Sequence, residues 1–266
     1  MLTPLIQIIR VAMALLAPLV LLLATSPVQA GTQRFYGYAT DLDSGRYLYT
    51  EIHEQELAGD RVQTSTITYF DPAGQQIARK TLDYRGNRSV PLFRSEIPGQ
   101  GYVESIRGVG ERIDLLKVTR EKGEQIKALA MPKGLVAADS GFNHLLQDQL
   151  PLLLAGETLQ FQFVVAGNLD SYKFRARKTG ETSFEGAPAA VLRVEPDSLL
   201  RVLVDPLELL YDPATRRLLE YRGVSNMLDP ATSKVYKRVR VAYSKQPPAA
   251  ALAAGVTLPP LDLASR

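Results

Sequence analysis

Ser140 and His144 lie four residues apart in a stretch with helical spacing, so their side chains share one face. A hydroxyl beside an imidazole is the beginning of a nucleophile–base pair, and with it of a hydrolase. The local string Ala138-Asp-Ser-Gly-Phe142 lacks the G-x-S-x-G turn that presents a nucleophile at a strand end. Asp139 and Ser140 are also residue types that cap a helix, by accepting from an orphan amide, and capping accounts for both. The other histidine, His53, has Glu51 and Glu54 beside it, a conceivable but incomplete metal-ligand set. Glu51, Glu54, Glu56, Asp205, Asp212 and Asp229 could supply the carboxylate pair of a glycosidase. Asp212 belongs to a turn, Asp205 precedes a proline, and the chain has no tryptophan to stack on a sugar. No phosphate-binding glycine loop, dinucleotide fingerprint or kinase signature occurs. The reading is of no catalytic, metal or cofactor site.

The element that must position Ser140 and His144 is a helix over about residues 140–155. Phe142, Leu145, Leu146, Leu150, Leu153 and Leu154 recur at i, i+3 and i+4, as one buried face requires. Asn143, Gln147 and Asp148 take the other side. Pro151 has no amide donor and should kink or restart the helix, and Gly156 suits its C-terminal end. Phe142, Leu145, Leu146, Leu150 and Leu153 are the candidate lining of an apolar ligand site, should the helix lid a cavity.

Nearly everything else reads as strand. Residues 46–57, 61–70 and 76–83 form a meander, with turns at Ala58-Gly59 and Asp71-Pro-Ala-Gly74. A two-residue loop at Ala58-Gly59 would pair Leu57 with Asp60. Glu51 then faces Thr66 and shares a face with Arg79, while Lys80 joins Ile52 on the other face. Residues 35–38, 102–107, 112–119, 159–165, 172–178, 190–195, 199–204, 207–211, 217–221 and 235–243 are further strands. Residues 121–130 fit strand or loop. Tyr36, Tyr38, Tyr47, Tyr49 and Tyr69 gather in the first strands, where tyrosine rings either pack or line a ligand groove.

Residues 1–30 have the form of a secretory signal: Arg10, an apolar run from Val11 to Ala24, and small residues at Val28-Gln29-Ala30. Cleavage near Ala30 would leave a periplasmic or secreted protein that does not span the membrane. The formal net charge of +3 falls by one with the loss of Arg10, too little to argue for nucleic acid or an anionic membrane. With no cysteine there is no lipidation site, disulfide, thiolate zinc site or iron–sulfur cluster. Residues 31–245 suffice for one β-rich domain held by its core alone. Residues 246–266, rich in proline and alanine, read as a flexible tail.

The strings Tyr49-Thr-Glu-Ile-His-Glu54, Asp139-Ser-Gly-Phe142, Leu154-Ala-Gly-Glu157, Tyr211-Asp with Arg216-Arg-Leu218, and Gly223-Val-Ser-Asn226 carry a resemblance. The chain resembles an uncharacterised family of exported proteobacterial proteins over residues 45–243. The architecture is more remotely similar to the outer-membrane lipoprotein carriers, in which a curved sheet embraces a helix over an apolar cavity. The first resemblance implies export and no functional residues, and the second is one of fold.

The expectation is therefore a mainly β domain: a curved antiparallel sheet or open barrel with one principal helix on its concave side. The function expected is that of a non-enzymatic periplasmic protein that binds a lipid or other apolar small molecule, or serves envelope maintenance. A hydrolase built on Ser140/His144 or on carboxylates is the alternative. A structural partner of an envelope protein, docked through a sheet edge, is another.

Overall fold

The computed structural model describes residues 30–197, 205–253 and 255. The leader up to Gln29, the strand expected over 199–204 and the end of the tail lie outside them. Strands β1 (Ala30–Asp41), β2 (Tyr47–Ala58), β3 (Arg61–Phe70), β4 (Gln76–Asp83), β5 (Leu92–Ile97), β6 (Tyr102–Val109), β7 (Arg112–Thr119) and β8 (Gly123–Ala130) form a meander. Then come β9 (Val136–Ala138), helix α1 (Gly141–Leu154), β10 (Leu159–Val165), β11 (Asp170–Phe184), β12 (Ala187–Pro196), β13 (Leu207–Tyr211), β14 (Leu218–Gly223), β15 (Val239–Ala242) and the short helix α2 (Ala249–Ala253). β15 pairs with β1 and so joins both arms into one 15-stranded sheet with β8 and β9 at its ends.

A sheet this wide cannot stay flat, because neighbouring strands are rotated by about 20–25°. Register shifts at Ala39/Thr40, Glu56/Leu57, Tyr69/Phe70, Ile106/Gly108 and Lys178/Gly180 bend it further. The sheet curls until its two ends meet through side chains and turns instead of a ladder. The turn Ala166–Asn168 packs beside β6 and β7. Lys127 of β8 lies 3.7 Å from Asp170 of β11. Ala138 donates its N–H to the Ser89 carbonyl at 2.9 Å. The result is the expected mainly β, curved, barrel-like domain that is not closed.

β9 and β10 run parallel, and parallel neighbours need a crossover. Helix α1 is that crossover, which is why it lies across the sheet. Leu145, Leu146, Leu150 and Leu153 pack into one cluster with Phe161, Ala176, Leu192, Val194, Leu209 and Tyr211 of β10 to β13. Pro151 does not interrupt the helix, which runs through to Leu154. Gly156, at φ 92°, takes the left-handed conformation expected just beyond it. The start differs from the expected cap. Ser140 is helical and makes no side-chain cap, and Asp139 Oδ1 instead accepts from the amide and hydroxyl of Ser140.

The β2–β3 register also differs. The loop is Gly59-Asp60, with Ala58 opposite Arg61, and the bulge at Glu56/Leu57 adds one more step. Glu51 therefore faces Tyr69, three residues from the expected Thr66. An odd shift exchanges the faces. Glu51, His53 and Lys80 share the inner face, and Ile52 and Arg79 the outer. Three features escaped the sequence reading: β5, β9, and the passage of β11 through Thr179-Gly180 as a bulge where a turn was expected. In the tail, where no regular structure was expected, α2 buries Ala251 against Tyr36, Tyr38, Tyr47 and Ile52 on the outer face.

Candidate functional site

The curled sheet and α1 border a cavity of about 1450 Å³ that is open to solvent on one side. Drug-sized ligand sites typically run to about 300–1,000 Å³, so this one has room for a long or bulky molecule. Its lining divides by chemistry. On the α1 side, Phe142 stacks on Phe161 at 5.6 Å and meets Phe163 edge-on at 5.5 Å, and Phe174 contacts both strand phenylalanines. Alternation on β10 places Phe161 and Phe163 on one face, with Phe174 directly opposite Phe161 on β11.

The opposite wall is polar, and the registers explain its order. Lys117, Glu104, Ser95, Lys80, Ile67, His53 and Phe35 are successive partners from β7 to β1, so they form one inward row across the sheet. Lys80 Nζ pairs with Asp139 Oδ2 at 2.6 Å, and both side chains are buried. Burial opposes the ammonium, but the charges of Asp139, Glu104 and Glu51 outweigh it and hold the Lys80 pKa above its ordinary value. Glu104 lines the cavity and is half-buried. Burial raises its pKa against the pull of Lys80, and it accepts from the Tyr102 hydroxyl at 2.9 Å. Asp139 holds a left-handed backbone, φ 43°, which costs of order 1–3 kcal/mol in a non-glycine residue. Its carboxylate ties Lys80 of β4 to the start of α1, so the strain sits where the lining is anchored.

The residues singled out in the sequence are scattered by the fold. Ser140 donates to Asp139 at 2.8 Å, while His144 Nδ1 meets Gln147 Oε1 at 3.0 Å. Both line the cavity, yet the hydroxyl and imidazole are each engaged elsewhere, and no nucleophile–base hydrogen bond joins them. Burial, with Arg88 nearby, lowers the His144 pKa to about 4. Glu51 and His53 pair at 2.9 Å inside, but Glu54 lies on the outer face with Arg34, so the trio does not converge. Among the described residues no metal-ligand group forms. Of the carboxylates considered, Glu51 and Asp205 reach the cavity, and Asp212 and Asp229 accept backbone amides in turns. Of the proposed apolar lining, Phe142 is on the cavity wall. Leu145, Leu146, Leu150 and Leu153 are not, because their stripe is spent against β9 to β13. Tyr49 and Tyr69 line the cavity, and Tyr38 and Tyr47 pack outside beneath α2. The sequence reading missed Lys80, Glu104, Tyr102, Tyr243 and the strand phenylalanines Phe161, Phe163 and Phe174.

No protein-family model and no curated protein matches the chain. Among solved structures, the chain is similar to a β-barrel-like protein of a domain of unknown function, DUF1849, from Brucella abortus. The identity is 8%, with 82% of this chain and 97% of that chain covered, at a TM-score of 0.49.

Proposed function

We propose that this chain is an exported, non-enzymatic binding protein that carries a lipid or similar amphipathic molecule in the periplasm. The observation that carries the reading is the 1450 Å³ cavity, with a phenylalanine wall on one side and buried charge on the other. Apolar area removes a hydrocarbon body from water, at about 25 cal/mol per Å², and the few polar groups orient the head. The signal-like leader supports export. The engaged states of Ser140 and His144 favour carriage over hydrolysis.

Native mass spectrometry of protein isolated from the envelope of the expressing cell tests this. A discrete adduct, released on denaturation and identified as an amphipath, is the expected result. Protein free of adduct that also fails to take up any added lipid would overturn the proposal.

A further inference from the structure

Glu51 occupies a singular place in the cavity. Its cross-strand partner on β3 is Tyr69, and its partner on β1 is Gly37, which carries no side chain. Beyond Gly37, just past the end of β15, stands Tyr243, whose hydroxyl donates to Glu51 Oε2 at 3.3 Å. A Cβ at Gly37 would lie 2.9 Å from Glu51 Oε2 and 2.8 Å from Tyr243 Cε1, so glycine is what lets these two groups meet. Along β2 the same face carries Tyr49 and His53. Phe35 stacks on His53 at 4.4 Å, and Tyr243 stands edge-on to both rings, at 5.9 and 5.7 Å.

The carboxylate is thus set in a cup of aromatic rings that opens on the cavity. Burial raises the phenol pKa of Tyr49, Tyr69, Tyr221 and Tyr243, and the charge of Glu51 raises each further. Both hydrogen bonds that Glu51 accepts fall on Oε2, from His53 and Tyr243. Among the described residues Oε1 accepts none, and no lysine or arginine pairs with Glu51. The fully buried cation, Lys80, is held by Asp139. A buried carboxylate is stable when a cation joins it, and aromatic faces attract the same cation through their quadrupoles.

We propose that this cup receives an alkylammonium head, the ligand's hydrocarbon body running to the wall of Phe142, Phe161, Phe163 and Phe174. The inference rests on the cavity being a binding site, as proposed above. It narrows the cargo to amphipaths that carry a cationic, amine-derived head. An anionic head would meet the field of Glu51, and a neutral one would gain neither interaction.

Calorimetric titration with three ligands of one chain length tests it: decyltrimethylammonium, decyl maltoside and decanoate, each below its micelle-forming concentration. The ammonium compound is expected to bind at least about tenfold more tightly than the other two. Glu51→Gln keeps the shape and an acceptor for Tyr243, and should bring the three within about threefold of one another. Glu54→Gln, one strand face away, should leave the preference unchanged. Equal affinity of the three for the wild type would sink the head-group inference while leaving carriage standing. Binding of none of them would instead remove the reading beneath it. The wild-type comparison decides even if Glu51→Gln fails to fold.

Discussion

Lys80 of β4 and Asp139, two residues before α1, form an ion pair at 2.6 Å inside the protein, and this pair couples the curled sheet to helix α1. Removing one partner strands the other in a poorly solvated place, which typically costs about 3–5 kcal/mol. Lys80→Met is expected to lose that much in urea denaturation. Asn tolerates a left-handed backbone, so Asp139→Asn should cost less. The double variant should recover about 0.5–3 kcal/mol relative to the sum. Additive losses would show that the two side chains do not act as a pair. Since the folded-state pKa of Lys80 is raised, its contribution is complete below the ordinary lysine value of 10.5 and is lost only as pH climbs through the folded value.

His144 gives the pH dependence. Its folded pKa of about 4 lies below the ordinary 6.5, so the unfolded chain binds the proton first as the solution is acidified. Stability from this group is therefore present above about pH 6.5, falls between there and about pH 4, and changes no further below. The span corresponds to about 3 kcal/mol, by 1.36 kcal/mol per unit. His144→Gln should flatten this part of the stability–pH curve. An unchanged slope in the variant would show that His144 is not the group responsible. Tyr84, packed edge-on to the imidazole, and Arg88 remain in place to report on intact packing.

The helix stripe gives a packing test. Leu146 is wholly buried in the cluster with Leu192 and Leu209, whereas Leu152 is 45% exposed. Leu146→Ala should destabilise by about 2–5 kcal/mol, and Leu152→Ala by no more than about 0.5 kcal/mol. Melts in which the two variants coincide would mean that α1 does not bury this face.

Gly141 opens the helix, where alanine would ordinarily be favoured by about 1 kcal/mol. A Cβ there would stand 2.3 Å from the Ser89 carbonyl oxygen and 2.5 Å from Pro91 Cδ. Ser89 cannot yield freely, because its carbonyl also holds the Ala138 amide. The clash should outweigh propensity, so Gly141→Ala is expected to destabilise by about 1–3 kcal/mol. A stabilised Gly141→Ala protein would contradict this contact.

The helix was legible because Leu145, Leu146, Leu150 and Leu153 keep one period over about two and a half turns. Pro151 fits inside it because the lost amide removes one bond from a stretch otherwise well packed. The short β9, Val136–Ala138, has no pattern of its own, and its parallel pairing with β10 depends on residues far along the chain. The polar wall was hidden for a different reason. Bringing Lys117, Glu104, Lys80 and His53 into one row requires every intervening register, and a single bulge at Glu56/Leu57 helps reverse the face on which Glu51 is expected. Glycine at 37 reads as a weak strand position, and its role appears only once Glu51 and Tyr243 are seen across it. Periodicity marks Leu145 and its stripe as a buried face without saying what buries it, so ligand lining and sheet packing look alike in the sequence.

The chain has no tryptophan, so Phe163→Trp places a single reporter on the cavity wall beside Phe142 and Phe174. Titration with a fatty chain brominated near its middle measures carriage directly, since bromine quenches only a nearby indole. The account predicts saturable quenching near one ligand per chain. It predicts little quenching of Leu152→Trp, whose reporter sits on the exposed side of α1. Equal quenching of the two reporters, or none at Phe163→Trp, would contradict the claim that this cavity holds an amphipath.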